Sequence, residues 1–202
     1  MRLPRGLYAI ADAAFGDPYT LGVGLAQAGC PVIQLRAKDW AQSDVASVAR
    51  RLIEPLHQVG SQLIINDHTM VAVEVGADGV HLGQDDGSIA EARALLGPNA
   101  LIGLSTHSID QVQRANTANY IGFGPVFETT TKAAAGSARG IDALKEVVER
   151  SSLPVVAIGG INGENLASVR ATGVHGWAIV RDLIGAGPIE DSVHRLSIQP
   201  EN

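Results

Sequence analysis

Apolar positions in this chain come in short blocks separated by longer segments with a different period. Eight strand-like runs fall at 7–11, 32–36, 62–66, 79–82, 101–105, 119–124, 154–159 and 176–180. Several are apolar on both faces, the pattern of a parallel sheet covered by helices. The clearest helical segment is about 41–60, where Val45, Val48, Ala49, Leu52, Ile53, Leu56 and Val59 form one stripe at a period of 3.6. Ser88 with Glu91 three residues on predicts a capping box and a helix from Ile89 to Leu96. Ser105 or Ser108 is placed to cap the fifth helix. Asp142 opens another, and Asn162 or Asn165 a short one before Gly173.

Strands alternating with helices imply βαβ units. Eight such units without a long linker predict a (β/α)₈ TIM barrel, one α/β domain over 1–202 with a loose tail from about 197. A length of 202 residues is near the lower end for a barrel, so the loops must be short. A doubly wound open sheet is the alternative. It usually carries a Gly-x-Gly-x-x-Gly turn after its first strand, and 12–17 (DAAFGD) has none.

Composition narrows the function. With 46% hydrophobic and 18% charged residues the chain is a globular protein, and a net charge of -6 argues against a general nucleic-acid binder. An anionic ligand would therefore need a local cationic patch. A single cysteine, Cys30, excludes an internal disulfide and a cysteine zinc cluster. No signal peptide or apolar run of ~18–20 residues is visible, so neither a membrane nor a secreted context is expected, and the default location is cytoplasmic. The sequence leaves a homo-oligomer open.

The cationic patch is in the second run. Residues of a strand alternate between faces, so Gln34, Arg36 and Lys38 share one face of 32–38 (VIQLRAK). On strand context alone, an edge strand with a wet face is a better explanation than an anion site. Barrel active sites, however, lie at the C-terminal ends of the strands. There the sequence also puts Asn66 and Asp67, 83–86 (GQDD), Ser105 with Thr106 and His107, 124–132 (GPVFETTTK), Gly159 and Gly160, and Val180 with Arg181. Singly, each has a plainer reading: Asp67 as a helix N-cap, Asp85 and Asp86 as solvated turn residues, the threonines as loop filler. Their convergence on one rim favours a site.

The chemistry of that rim is coherent. Asp67 and Asp86, with waters and phosphate oxygens, suit Mg²⁺. Arg36, Lys38 and Lys132 would face phosphate oxygens. Gly160 after the seventh strand suits a phosphate, which barrels often bind near strands seven and eight. Two anion sites imply a reaction joining two phosphorylated small molecules. His81 lies inside the fourth strand and reads as a satisfied core residue; His57 and His194 read as surface residues. No general base stands out, which favours electrostatic stabilisation of a leaving group.

The motifs 8–12 (YAIAD), 34–38 (QLRAK), 64–67 (IIND), 77–86 (ADGVHLGQDD), 103–107 (GLSTH), 120–132 (YIGFGPVFETTTK), 155–162 (VVAIGGIN) and 173–180 (GVHGWAIV) resemble the thiamine-phosphate synthase and thiazole tautomerase family over nearly the whole chain. The resemblance implies coupling of hydroxymethylpyrimidine diphosphate to a thiazole phosphate, releasing diphosphate by a dissociative substitution. It implies that Gln34, Arg36, Lys38, Asn66, Ser105 and Lys132 hold the pyrimidine diphosphate, with Arg36, Lys38, Ser105 and Lys132 catalytic. It implies Mg²⁺ on Asp67 and Asp86, and the thiazole phosphate on Thr129, Thr130, Thr131, Gly160, Val180 and Arg181. This chain departs from the family pattern at Ala37, usually acidic, at Glu128, usually proline, and at Arg181, usually serine. The loop 133–140 reads as a mobile lid. A tautomerase needing no Mg²⁺, or a non-catalytic thiazole-phosphate-binding regulatory barrel, is the alternative. The tautomerase branch often lacks the two aspartates and carries histidine at the place of Pro125.

Overall fold

The computed structural model describes residues 1–129, 136–185 and 187–197. Its strands are β1 (Gly6–Asp12), β2 (Val32–Arg36), β3 (Gln62–Asn66), β4 (Gly79–Leu82), β5 (Leu101–Thr106), β6 (Tyr120–Phe123), β7 (Val155–Ile158) and β8 (Gly176–Ile179). They alternate with helices α1 (Pro18–Gln27), α2 (Gln42–Gln58), α3 (Thr69–Val75), α4 (Ile89–Leu96), α5 (Ile109–Arg114), α6 (Gly140–Arg150), α7 (Leu166–Arg170) and α8 (Ile189–Ser197). Each strand pairs in parallel with the next, and β1 pairs with β8, so the sheet closes into the expected (β/α)₈ barrel. Among the described residues no helix is long and apolar enough to cross a membrane.

Local signals set most boundaries. Ser88 and Glu91 form both halves of the capping box that opens α4. Ser108, rather than Ser105, caps α5 by accepting the Gln111 N–H at 3.4 Å. α1 lacks a clear apolar stripe; Asp17 opens it by accepting the Thr20 N–H at 2.8 Å, with Pro18 pre-set for the first turn. α6 starts at Gly140, two residues before Asp142, which lies in its first turn. Ser197 ends α8 instead of opening the tail, and 198–202 lie outside the described residues.

The period-two alternation of the strands divides the core into two layers. Ala9, Ala11, Ile33, Leu35, Leu63 and Ile65 point outward against the helices and pack with Leu52 and Leu56 of α2. Each fully buried leucine or isoleucine there stabilises the fold by roughly 1.5–3 kcal/mol. Tyr8, Ile10, Val32, Ile64, Leu101, Tyr120, Val156 and Ala178 fill the barrel interior. The same inward rows turn polar at the C-terminal end: Ile10 is followed by Asp12, Val32 by Gln34 and Arg36, and Ile64 by Asn66. The barrel floor is thus apolar and its upper rim is a set of aimed polar groups.

Candidate active site

A cavity of about 570 Å³ opens at this rim, within the range that holds a small molecule. Of the residues singled out in the sequence, Gln34, Arg36, Asn66, Ser105, Thr129, Gly160, Val180 and Arg181 line it. Lys38, Asp67 and Asp86 stand beside it without lining it. Thr130, Thr131 and Lys132 lie outside the described residues, as do 133–135 of the expected lid.

The β2 face is graded in exposure. Gln34 is 4% exposed, the Arg36 side chain 17% and the Lys38 side chain 50%. The β1–β2 register sets Asp12 opposite Arg36, and the guanidinium Nη1 donates to Asp12 Oδ2 at 2.5 Å. Asp12 is 2% exposed and also accepts the Ala14 N–H at 3.0 Å. A buried carboxylate with two donors fixes where the Arg36 cation can point. The sequence reading passes over Asp12; the signal that could have found it is the inward row, in which it follows Tyr8 and Ile10. Ala37 belongs to the outer core, so the missing acid at that position leaves a packed apolar contact.

Asp67 is not the helix cap. His68 holds the N-cap position of α3, without a side-chain capping bond. Asp67 has φ 63, the only non-glycine positive φ among the described residues, and its N–H donates to the His81 carbonyl at 2.9 Å. A left-handed aspartate is tolerated better than most residues there, and it swings the carboxylate off the strand line. The carboxylate meets Asp86, and Lys38 Nζ comes within 3.9 Å of it. Burial, then the hydrogen bond and the charge of Asp86, push the Asp67 carboxyl up to about 6, against the pull of Lys38 and His68. No group of three or more metal-ligating side chains occurs among the described residues. Two adjacent carboxylates that resist joint ionisation fit Mg²⁺, which keeps waters and takes phosphate oxygens for its other ligands.

A hydrogen-bonded row crosses the barrel beneath the cations. Gln34 Nε2 donates to the Tyr8 hydroxyl at 2.9 Å, and the Tyr8 and Tyr120 hydroxyls are 2.9 Å apart. His81 Nδ1 is 3.2 Å from the Tyr120 hydroxyl and Nε2 is 3.0 Å from Ser105 Oγ. Burial holds both phenols well above their ordinary range. His81 is thus satisfied, as its mid-strand position suggested, but it also lines the cavity. Tyr8 and His81 are inward residues within their strands and Tyr120 opens β6, so attention to the C-terminal strand ends alone passes over them.

The opposite end, at β6 to β8, is built from backbone. Gly160 has φ 66, and a Cβ there would lie 2.6 Å from the Glu128 carbonyl oxygen. Glycine is required by the close approach of the loop after β6. Arg181 stacks over the Phe15 ring at 5.8 Å. Asp182 accepts the Gly163 N–H at 2.7 Å and an Arg195 N–H at 2.9 Å, pinning the loop after β8 to that after β7. The lining here holds Glu128 and Asp182 beside Arg181, so this end, like the Asp12–Arg36 end, carries both signs of charge.

A family model described as thiamine monophosphate synthase matches residues 7–183. A thiamine-phosphate synthase from Persephonella marina is 39% identical over 206 residues, covering 100% of this chain and 98% of that protein. One from Syntrophomonas wolfei is 40% identical over 170 residues, covering 83% and 81%. The solved thiamine phosphate pyrophosphorylase from Pyrococcus furiosus superposes with a TM-score of 0.86 at 32% identity, covering 95% of this chain and 93% of that one. A 3-hexulose-6-phosphate synthase shares the fold alone, with a TM-score of 0.68 at 15% identity.

Proposed function

This chain belongs to the thiamine monophosphate synthase family, transferases of thiamine biosynthesis, and we propose that it joins hydroxymethylpyrimidine diphosphate to a thiazole phosphate, or its carboxylate form, in the cytoplasm. The products are thiamine phosphate and diphosphate, with CO₂ released as well when the carboxylate form is used. The observation that carries this reading is the adjacency of two features: the cationic Arg36–Lys38 face on β2, which suits an anion, and the Asp67–Asp86 pair beside it, which suits a cation.

In this reading the bond from the pyrimidine methylene to the diphosphate oxygen breaks first. Its electron pair leaves with diphosphate, and the thiazole nitrogen then donates its pair to the pyrimidinylmethyl cation. Arg36 and Lys38 stabilise charge growing on the leaving oxygens, with Lys132 as a third cation. Asp12 holds Arg36 in place for that task. Gln34, Asn66 and Ser105 orient the pyrimidine end, so the two reactants meet in one geometry. Thr129, Thr130, Thr131, Gly160, Val180 and Arg181 receive the thiazole phosphate. Asp67 and Asp86 would hold Mg²⁺, which when bound supplies positive charge to the diphosphate. No residue need remove a proton from the thiazole, in keeping with a site without an evident base. The paired aspartates and Pro125 support this reading over the tautomerase.

The test is incubation with both substrates and Mg²⁺. Equal amounts of thiamine phosphate and diphosphate are expected, with the rate abolished by chelation. Isomerisation of the thiazole alone, or turnover indifferent to chelation, would overturn the proposal.

A further inference from the structure

The row from Gln34 to Ser105 has a direction set by which of its atoms can donate. An amide nitrogen only donates, so the Tyr8 oxygen accepts from Gln34 Nε2 and its own proton must go elsewhere. Among the described residues, the only other partner of that hydroxyl is Tyr120, at 2.9 Å. Were Tyr120 to donate to Tyr8 instead, the Tyr8 proton would have no protein acceptor among the described residues, in a place where the two residues are 4% and 0% exposed. Tyr120 therefore accepts from Tyr8 and sends its proton to His81 Nδ1. A neutral imidazole that accepts at Nδ1 carries its proton on Nε2, which donates to Ser105 Oγ. The Ser105 proton is then left to point into the cavity.

We propose that this row is polarised in one direction, from the Gln34 amide through Tyr8, Tyr120 and the Nε2–H form of His81, so that Ser105 presents its O–H to the substrate as a donor. Tyr8, Tyr120 and His81 are positioning residues in this scheme. Gln34 uses its nitrogen on Tyr8, which leaves its amide oxygen as the acceptor at the other end of the row. The row thus offers an acceptor on β2 and a donor on β5, and it selects a ring that presents a donor to the first and a lone pair to the second. The identity of that ring as a pyrimidine rests on the synthase reading; the direction of the row does not.

Gly103 is what lets the row cross β5. The registers set it between His81 on β4 and Tyr120 on β6. A Cβ at 103 would lie 2.2 Å from Tyr120 Cζ and 2.5 Å from His81 Nδ1, so any other residue would push the two polar groups apart. Reversal of the row would give the opposite chemistry: Ser105 would donate to His81 Nε2 and face the substrate as an acceptor.

The experiment is imidazole ¹⁵N NMR on the ligand-free full chain at about pH 8, above the ~6.5 of a free imidazole. The signal of His81 among the six histidines is identified by its loss in His81→Asn. A protonated Nε2 with a pyridine-like Nδ1 is expected, and in Tyr120→Phe the preference should relax toward a mixture. Tyr8→Phe, which does not touch His81, should relax it in the same direction if Tyr120→Phe fails to fold. An Nδ1–H form or an imidazolium in the wild type would overturn the proposal, as would a tautomer unmoved in the folded variants. Binding supplies the second readout, with analogues of the pyrimidine diphosphate in which each ring nitrogen is in turn replaced by C–H. One analogue should lose roughly 10- to 100-fold against the parent in the wild type, and less than about twofold in Ser105→Ala. An equal ratio in both proteins would contradict a donating Ser105. Because the NMR needs no substrate, an Nε2–H result with a failed coupling assay removes the synthase reading and leaves the row intact.

Discussion

The two ends of the cavity are built on different principles. At β2 to β4 the charged groups are side chains, each held by or near another side chain: Arg36 by Asp12, Lys38 near Asp67, Asp67 by Asp86. At β6 to β8 the site is mostly backbone, shaped by Gly160 and by the tie between Asp182 and Gly163. Charge-coupled side chains can answer to a metal and to pH, and losing one leaves its partner exposed to the full cost of isolation. A backbone cradle depends less on such pairs, so it tolerates side-chain change more readily. The departure at Arg181 falls on the second kind of surface.

The largest effect should come from the carboxylate pair. Asp67→Asn keeps a residue that accepts φ 63 and removes the charge, so the fold should persist while Mg²⁺-dependent turnover falls on the order of 10³-fold. Steady-state rates beside a thermal melt check this; a comparable loss on replacing Arg181 would erase the contrast between the two ends.

Arg36→Ala comes next, with kcat/KM down about 100-fold. Because Asp12 is 2% exposed, this variant also strands a buried carboxylate and should cost about 1–3 kcal/mol of stability. Adding Asp12→Asn should restore the melting temperature without restoring turnover. Recovery of both would mean that Arg36 serves the fold alone.

pH sharpens the comparison further. The folded Asp67 carboxyl titrates at about 6, above the ~3.9 of an unfolded aspartate. Its neutral form stabilises the fold fully below about pH 4, and that contribution is lost as the pH rises through about 6. Without metal, Asp67→Asn should therefore overtake the wild type in melting temperature between pH 4 and 7, and saturating Mg²⁺ should narrow the gap. Mg²⁺ affinity should weaken as the pH falls below about 6, since only the ionised carboxylate binds it. Melts across this range with and without Mg²⁺ test both signs.

The smallest effect is expected at the backbone end. Arg181→Ser should raise KM for the thiazole phosphate severalfold, under about tenfold, and leave KM for the pyrimidine diphosphate unchanged. A change in the latter would show that the two ends are coupled.

The barrel was legible because eight apolar runs alternate with helical stripes, and closure follows from their number. The charged rim was legible because Gln34, Arg36 and Lys38 share a face and because strand ends mark barrel sites. Asp12 escaped because a single aspartate after an apolar strand looks like a turn residue until the β1–β2 register sets it against Arg36. The row through Tyr8, Tyr120 and His81 escaped for a related reason. It joins β1, β6 and β4, and only closure of the barrel brings those strands face to face across the interior. Gly103 shows the same limit, since its role is to be absent between two side chains from neighbouring strands.

The division of labour between the two ends is tested most directly by diffraction from crystals soaked with hydroxymethylpyrimidine diphosphate and Mn²⁺ in place of Mg²⁺. The anomalous signal is predicted between Asp67 and Asp86, with diphosphate oxygens on the same ion and within hydrogen-bond reach of Arg36. A metal bound at the β6 to β8 end, or a diphosphate seated there with Arg36 still closed on Asp12 alone, would contradict the account.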